Sequence, residues 1–255
     1  MKKILGILLS LMIIFTSVWN VPAMIESHTF FGYEAFDVTI GTNNYEPKSP
    51  DYCLSYNATA TGYTTFTFDG NPGRMYVKDI NNKVISNEYD SILPTKKGSK
   101  YVFDLGLKKG TTYVLYMIED THESPEQYTL TIKNTAIKSS NISKKKAAKV
   151  KMKKLVTGII PLGSNNSAWF KFKYKKTKKC IIKLDTTTMM GEYHVEIFKG
   201  KKMVGTTIIG PTKMNWNPFN KVSSDYKLLL KKGTYYVKFS KYNNFSSGKF
   251  TMKIK

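Results

Sequence analysis

Three histidines, two cysteines and a scatter of carboxylates are the side chains able to do metal, covalent or acid–base chemistry, and their spacing argues against each. His28, His122 and His194 have no second histidine at metal-ligand spacing. His122-Glu123 is only a fragment of the helical zinc-protease motif, and it falls in a turn-like stretch ending in Ser124-Pro125. No serine has the flanking glycines of a nucleophile elbow, and neither Cys53 nor Cys180 has a catalytic context. Glu192 and Glu196 are near enough for paired acid–base work, but Glu192 lies by a turn and Glu196 on the polar face of a strand, where charge is ordinary. The expectation is a protein without catalysis.

Lysine carries a stronger signal. The formal net charge is +22, yet residues 24–134 hold 10 Lys and Arg against 14 Asp and Glu, whereas residues 135–255 hold 28 lysines against 4 acids. Such an excess far exceeds the charge of roughly 2 to 8 that keeps a small domain soluble, and it concentrates polyanions. Two groups stand out: Lys144, Lys145, Lys146, Lys149, Lys151, Lys153 and Lys154 in one stretch, then Lys171, Lys173, Lys175, Lys176, Lys178 and Lys179 on one strand and its following turn. Arg74 is the only arginine and lies in the acidic half, which argues against sequence-specific nucleic-acid readout. Lysine is a hydrated point charge suited to diffuse, salt-sensitive attraction to phosphate polymers or anionic membrane surfaces.

The elements that hold these lysines follow a period of two. Phe170, Phe172 and Tyr174 alternate with Lys171 and Lys173, and the same pattern runs through Tyr193-Val195-Ile197, Tyr235-Val237-Phe239 and Phe250-Met252-Ile254. In the first half it appears in Phe66-Phe68, Tyr101-Phe103-Leu105 and Leu130-Ile132, with turn residues at Asp69 to Gly73 and Asn81-Asn82. The alternation and the lack of helical spacers predict antiparallel sheets. The pattern also repeats. Leu107-Lys108-Lys109-Gly110-Thr111-Thr112-Tyr113-Val114 returns 123 positions later as Leu230-Lys231-Lys232-Gly233-Thr234-Tyr235-Tyr236-Val237, and Tyr128 to Lys133 is answered by Phe250 to Lys255. Met75, Val77 and Val84 are answered by Val195, Ile197 and Val204. This spacing is far longer than a solenoid repeat, so each copy should own a core, with Lys109-Gly110 and Lys232-Gly233 as tight hairpin turns.

An aromatic strand, a Val-x-Ile strand with a polar turn and a closing Leu-x-x-Gly-Thr-Tyr-Tyr-Val motif together resemble the bacterial pre-peptidase C-terminal domain family. The resemblance is clearer in the second copy, from Trp169 to Ile254, than in the first, where it covers Met75 to Lys133. It implies a non-catalytic, jelly-roll-like module that accompanies secreted enzymes or stands in surface proteins. Some family members bind calcium through an acidic segment leading into the domain. The second copy has lysines there instead, while the first offers Glu26, Glu34, Asp37, Glu46 and Asp51 at irregular spacing, so Ca²⁺ is a minor alternative and no cofactor the main expectation.

Lys2 and Lys3 precede an apolar run from Ile4 to Trp19, and Val21-Pro22-Ala23 predicts signal-peptide cleavage after Ala23. Export permits a disulfide between Cys53 and Cys180, but two single half-buried thiols are the simpler reading. Thr135 to Lys151 reads either as an extended basic linker or, from Ala147 onward, as the first strand of the next module. Trp216 and Phe219 in a long connection, with Tyr242 and Phe245 near the last turn, are alternative contacts for a glycan or an extracellular protein.

The sequence thus predicts an all-β protein of two tandem antiparallel β-sandwiches, jelly-roll-like, after a cleaved signal peptide. Residues 1–23 are the signal, 24–138 an acidic module, and 139–255 a basic linker and second module. The expected function is secreted, non-catalytic binding of anionic cell-wall or surface polymers.

Overall fold

Period-two alternation becomes β-structure throughout the computed structural model, which describes residues 23–69, 74–85, 100–118, 127–138, 141–186, 192–210, 222–243 and 246–255. Among the described residues there is no helix. The strands of the first half are β1 (His28–Phe30), β2 (Tyr33–Val38), β3 (Gly41–Tyr45), β4 (Asp51–Asn57), β5 (Gly62–Asp69), β6 (Arg74–Asp79), β7 (Lys100–Leu107), β8 (Thr112–Ile118) and β9 (Tyr128–Ala136). Those of the second are β10 (Ala148–Lys149), β11 (Leu155–Ile160), β12 (Ala168–Tyr174), β13 (Lys178–Thr186), β14 (Tyr193–Lys199), β15 (Lys202–Ile209), β16 (Val222–Leu230), β17 (Gly233–Lys241) and β18 (Gly248–Ile254).

They form two β-sandwiches. In the first, a sheet ordered β1-β2-β4-β8-β6 faces one ordered β3-β9-β5-β7; in the second, β10-β12-β17-β14-β15 faces β11-β18-β13-β16. Strand for strand, β2 to β9 and β10 to β18 follow one pattern, with β1 and β15 as the unmatched edges. Each sandwich has its own core of inward residues. Phe36, Leu54, Phe66, Val77 and Leu115 fill the first, and Phe170, Ile182, Val195, Val237 and Phe250 the second. In the second, Phe239 and Phe250 stack across the sheets at 4.0 Å, and Gly158 leaves the space that the Phe250 ring enters.

Three features depart from the sequence reading. The sheets are mostly, but not wholly, antiparallel: β2 pairs with β4, and β10 with β12, in parallel. The Lys-Gly turns are not hairpins, because β7 and β8, like β16 and β17, belong to opposite sheets. They are arches that carry the chain across the core. The letter-for-letter match at 123 is also one residue out of register within the strand. Tyr113, Leu115 and Met117 point inward, as do Tyr235, Val237 and Phe239, so the structural offset there is 122. Thr111-Thr112 against the single Thr234 supplies the extra residue, and Val114 consequently faces outward with Cys53 and Tyr116 while Val237 faces inward.

The segment read as a possible extended linker is largely pinned. Ile137 N donates to Thr61 O, Asn141 exchanges hydrogen bonds with the backbone of Trp169, and Ala148-Lys149 pairs with Phe170-Lys171 while Val150 is buried. The cysteines are separate free thiols, Cys53 in the first sandwich and Cys180 in the second, both buried.

The sandwiches meet head to tail. Leu162, from the β11–β12 connection of the second, is 3% exposed and belongs to the core of the first. Its N–H donates to Gly106 O at 2.7 Å, and Ser247 Oγ accepts from Gly106 N at 3.1 Å. Lys249 pairs with Asp104 at 3.2 Å and lies over the Tyr63 ring at 4.4 Å. A cleft of about 590 Å³ beside this contact is lined by Thr61, Asp79 and Lys108 from one side and Asn141, Ser164 and Asn166 from the other.

Candidate functional site

Connections in a sandwich alternate between its two ends, and the registers fix which residues share an end. β12 finishes at Tyr174 opposite Gly233, where β17 begins; β14 finishes at Lys199 opposite Lys202, where β15 begins; and β13 begins at Lys178 opposite Leu230, where β16 ends. β10 runs parallel to β12, so its exit toward β11 lies there too. Four connections of the second sandwich therefore gather at one pole. β18 leaves the contact with the first sandwich at Ser247 and Gly248 and runs to Ile254, so this pole is the free end, about 20 Å from that contact.

Every one of these connections is lysine-rich. Lys151, Lys153 and Lys154 come from the β10–β11 connection; Lys175, Lys176, Lys178 and Lys179 from β12–β13; Lys199, Lys201 and Lys202 from β14–β15; Lys231 and Lys232 from β16–β17; and Lys255 follows β18. All are exposed. The four acids of the second half, Asp185, Glu192, Glu196 and Asp225, all lie away from the pole along the strands. Three are engaged: Asp185 accepts from Ser223 and Thr251, Glu196 pairs with Lys238 at 2.6 Å, and Asp225 pairs with Lys183 at 3.1 Å. Among the described residues no acidic side chain offsets the pole.

The turns that present the lysines are held by buried rings. Tyr174 Oη donates to Lys179 O at 2.9 Å, and Tyr235 Oη donates to Lys231 O at 2.7 Å. Lys153 sits at φ 64°, a left-handed conformation that costs a non-glycine residue roughly 1–2 kcal/mol, and its N–H donates to Ile254 O at 2.7 Å. The pole is a set of fixed anchor points presenting exposed lysines, of which Lys199 is engaged within the chain: its ammonium donates to Lys232 O at 3.4 Å and lies 5.8 Å from the Tyr235 ring.

The structure divides the lysines singled out from sequence. Lys151, Lys153, Lys154, Lys175, Lys176, Lys178 and Lys179 are at the pole. Lys171 and Lys173 stand on the outer face of the β10-β12-β17-β14-β15 sheet beside Lys149, and Lys144, Lys145 and Lys146 form a turn over it. Lys144 is not free to bind: its ammonium donates to Gly200 O and lies 5.0 Å from the Tyr236 ring and 5.2 Å from Phe198. Lys238 lies 5.9 Å from Trp169, so the aromatic patch of Trp169, Phe198 and Tyr236 is covered by the chain's own cations. Lys199, Lys201, Lys202, Lys231, Lys232 and Lys255 were missed. Their signal was the parity of the turns, which puts every second connection at the same end.

Of the stacking candidates, Trp216, Phe219 and Phe245 lie outside the described residues. Tyr242 is 56% exposed, at the end opposite the pole. Two of the acidic candidates, Glu34 and Asp51, accept hydrogen bonds within the first sandwich. Glu34 accepts from Lys48 N at 2.7 Å and Ser49 N, and Asp51 accepts from Tyr116 Oη, while Asp37 and Glu46 are exposed. Among the described residues no three His, Cys, Asp or Glu side chains converge as a metal site. His194 is half-buried and hydrogen-bonded to Thr206 Oγ1, and burial raises the pKa of the Glu192 carboxyl. His122 lies outside the described residues.

Fold and site together define a protein of two β-sandwiches with a cationic free end. No family model matches the chain, and no curated protein does. Among solved structures it is similar to the pre-peptidase C-terminal domain of a collagenase from Bacillus anthracis, at 17% identity over 43% of this chain and 94% of that one, with a TM-score of 0.32. It is also similar to the tandem CBM51 modules of a family 98 glycoside hydrolase from Streptococcus pneumoniae (8% identity, 79% of each chain, TM-score 0.25). The CUB1-EGF-CUB2 domains of human MASP-1/3 match at 10% identity over 84% of this chain and 99% of that one, with a TM-score of 0.23.

Proposed function

We propose that the chain is an exported, non-catalytic binding protein, built from a duplicated module like the pre-peptidase C-terminal domain, that attaches through the pole of its second module to anionic polymers or lipids of a cell surface. The observation that carries this reading is the convergence of exposed lysines from four connections at one end, with no acidic side chain among them in the described residues. Mutual repulsion disfavours such an arrangement unless a polyanion neutralises it. The near absence of arginine supports contacts to diffuse phosphate charge over geometric readout.

The test is sedimentation of residues 24–255 with bacterial walls, before and after removal of their phosphate polymer, across a salt series. Engaging about six phosphates gives a slope of roughly −4 in log affinity against log salt, taking the ~0.7 per charge of a single strand. Changing Lys175, Lys176, Lys178 and Lys179 to Gln should flatten that slope by about 3, whereas changing Lys145 and Lys146 should leave it nearly intact. Binding that ignores salt, or survives the four changes at the pole, defeats the reading.

A further inference from the structure

The outer face of the β11-β18-β13-β16 sheet joins the pole without a break and carries apolar side chains as well as lysines. Leu229 is 78% exposed and Leu155 62%, the most exposed of the described large apolar residues of the second sandwich. Both point outward, since their neighbours Leu228, Leu230 and Val156 pack on the core. Ile181 is half-buried between them in the same plane. The registers interleave these with lysine: Leu155 is opposite Lys253, Lys253 opposite Lys183, Ile181 opposite Lys227, and Lys179 opposite Leu229. Two acids share this face, and both are engaged: Asp225 pairs with Lys183 at 3.1 Å, and Asp185 accepts from Ser223 and Thr251.

We infer that this face lies on an anionic lipid bilayer, with Leu229 and Leu155 entering the interfacial region and the surrounding lysines on the headgroups. The inference rests on the anionic-surface reading above and names the partner within it. A hydrated wall polymer offers nothing to an exposed leucine, whereas a membrane interface rewards apolar burial beside basic charge. Each lysine near such a surface contributes roughly a fivefold gain in partitioning. The sheet presents leucines at both edge strands, a breadth that fits a planar partner. A second copy of this chain would bring its own lysines against these and be repelled.

Residues 24–255, which keep both sandwiches and omit the apolar leader, are mixed with vesicles of neutral phosphatidylcholine or of phosphatidylcholine with 30% phosphatidylglycerol. Binding to the anionic vesicles alone is expected. Changing Leu155 and Leu229 together to Ser should weaken it about tenfold while wall sedimentation and the melting temperature stay unchanged. Leu229→Trp should give a blue-shifted emission that brominated lipid quenches. If walls bind but anionic vesicles do not, or if the leucine changes have no effect and the new tryptophan stays in water, the bilayer inference is overturned and the polyanion reading survives. If neither walls nor vesicles bind, both fall.

Discussion

Leu162 ties the stability of the first sandwich to a residue of the second. Leu162→Ala removes three carbons from a site 3% exposed, inside a core that includes Leu105, Leu107 and Tyr113. Buried Leu→Ala changes cost about 2–5 kcal/mol, depending on how far the cavity closes. Here collapse is resisted. The residue's own N–H is fixed to Gly106 O, and Gly106 is fixed in turn to Ser247, so about 3 kcal/mol is the expected loss. In urea, with m about 3 kcal/mol per molar for a chain this size, the midpoint of residues 24–255 should fall by roughly 1 M with m unchanged. Amide exchange locates the effect: Leu105, Gly106 and Leu107 in the first sandwich should lose protection. A loss below about 0.5 kcal/mol, or one confined to amides of the second sandwich, would refute the interlock. Residues 24–138 alone should be destabilised for the same reason, because they lack the plug.

Gly158→Ala should lower stability by about 1–3 kcal/mol, because the added methyl comes within 2.4 Å of the Phe250 ring; an unchanged melting temperature would show that the ring has room to move. Burial pushes the thiols of Cys53 and Cys180 up to about 11, so iodoacetamide at pH 8 should label the native protein slowly and the urea-unfolded protein at both sites, and fast native labelling would contradict their placement. Burial also lowers the Lys241 ammonium to about 8 from 10.5. The unfolded chain then holds the extra proton between those values, so this residue makes stability rise with pH from about 8 to 10.5. Lys241→Met should flatten that rise in denaturation curves, and an identical pH profile in both proteins would count against the buried ammonium.

Most strands were legible because they have one wet face, and alternation such as Phe170-Lys171-Phe172 records that directly; β8, buried on both faces from Tyr113 to Met117, is the exception. Sheet membership was not. Lys109-Gly110 and Lys232-Gly233 look like hairpin turns in sequence, and nothing local distinguishes a turn within a sheet from an arch across the core. The doubled threonine at 111–112 was visible as letters, but its effect on facing emerged only from which of Tyr113 and Val114 is buried. Lysine excess in the second half was plain from composition, yet the pole draws on turns more than 50 residues apart in sequence, from Lys175 to Lys232. Reading the runs as sequence clusters joined Lys144 to Lys179 and overlooked Lys201 and Lys231. Lys78 was also missed. It is buried, with its ammonium 4.7 Å from the Tyr116 ring, 5.3 Å from Tyr76 and 5.7 Å from Tyr33, because β8, β6 and β2 deliver those three rings to one place.

Head-to-tail contact between like units has no natural stopping point, since the surface used by one unit is present again on the next. The end of the first sandwich that receives Leu162 has, beside Lys108-Lys109, the nearly neutral turns Ala58-Thr59-Ala60-Thr61 and Ile80-Asn81-Asn82-Lys83. The matching end of the second has Lys175-Lys176-Thr177-Lys178 and Gly200-Lys201-Lys202 in their place. A third sandwich arriving there would bury unpaired ammonium groups. The lysines of the free end would therefore oppose a repeat there of the contact that joins the two sandwiches.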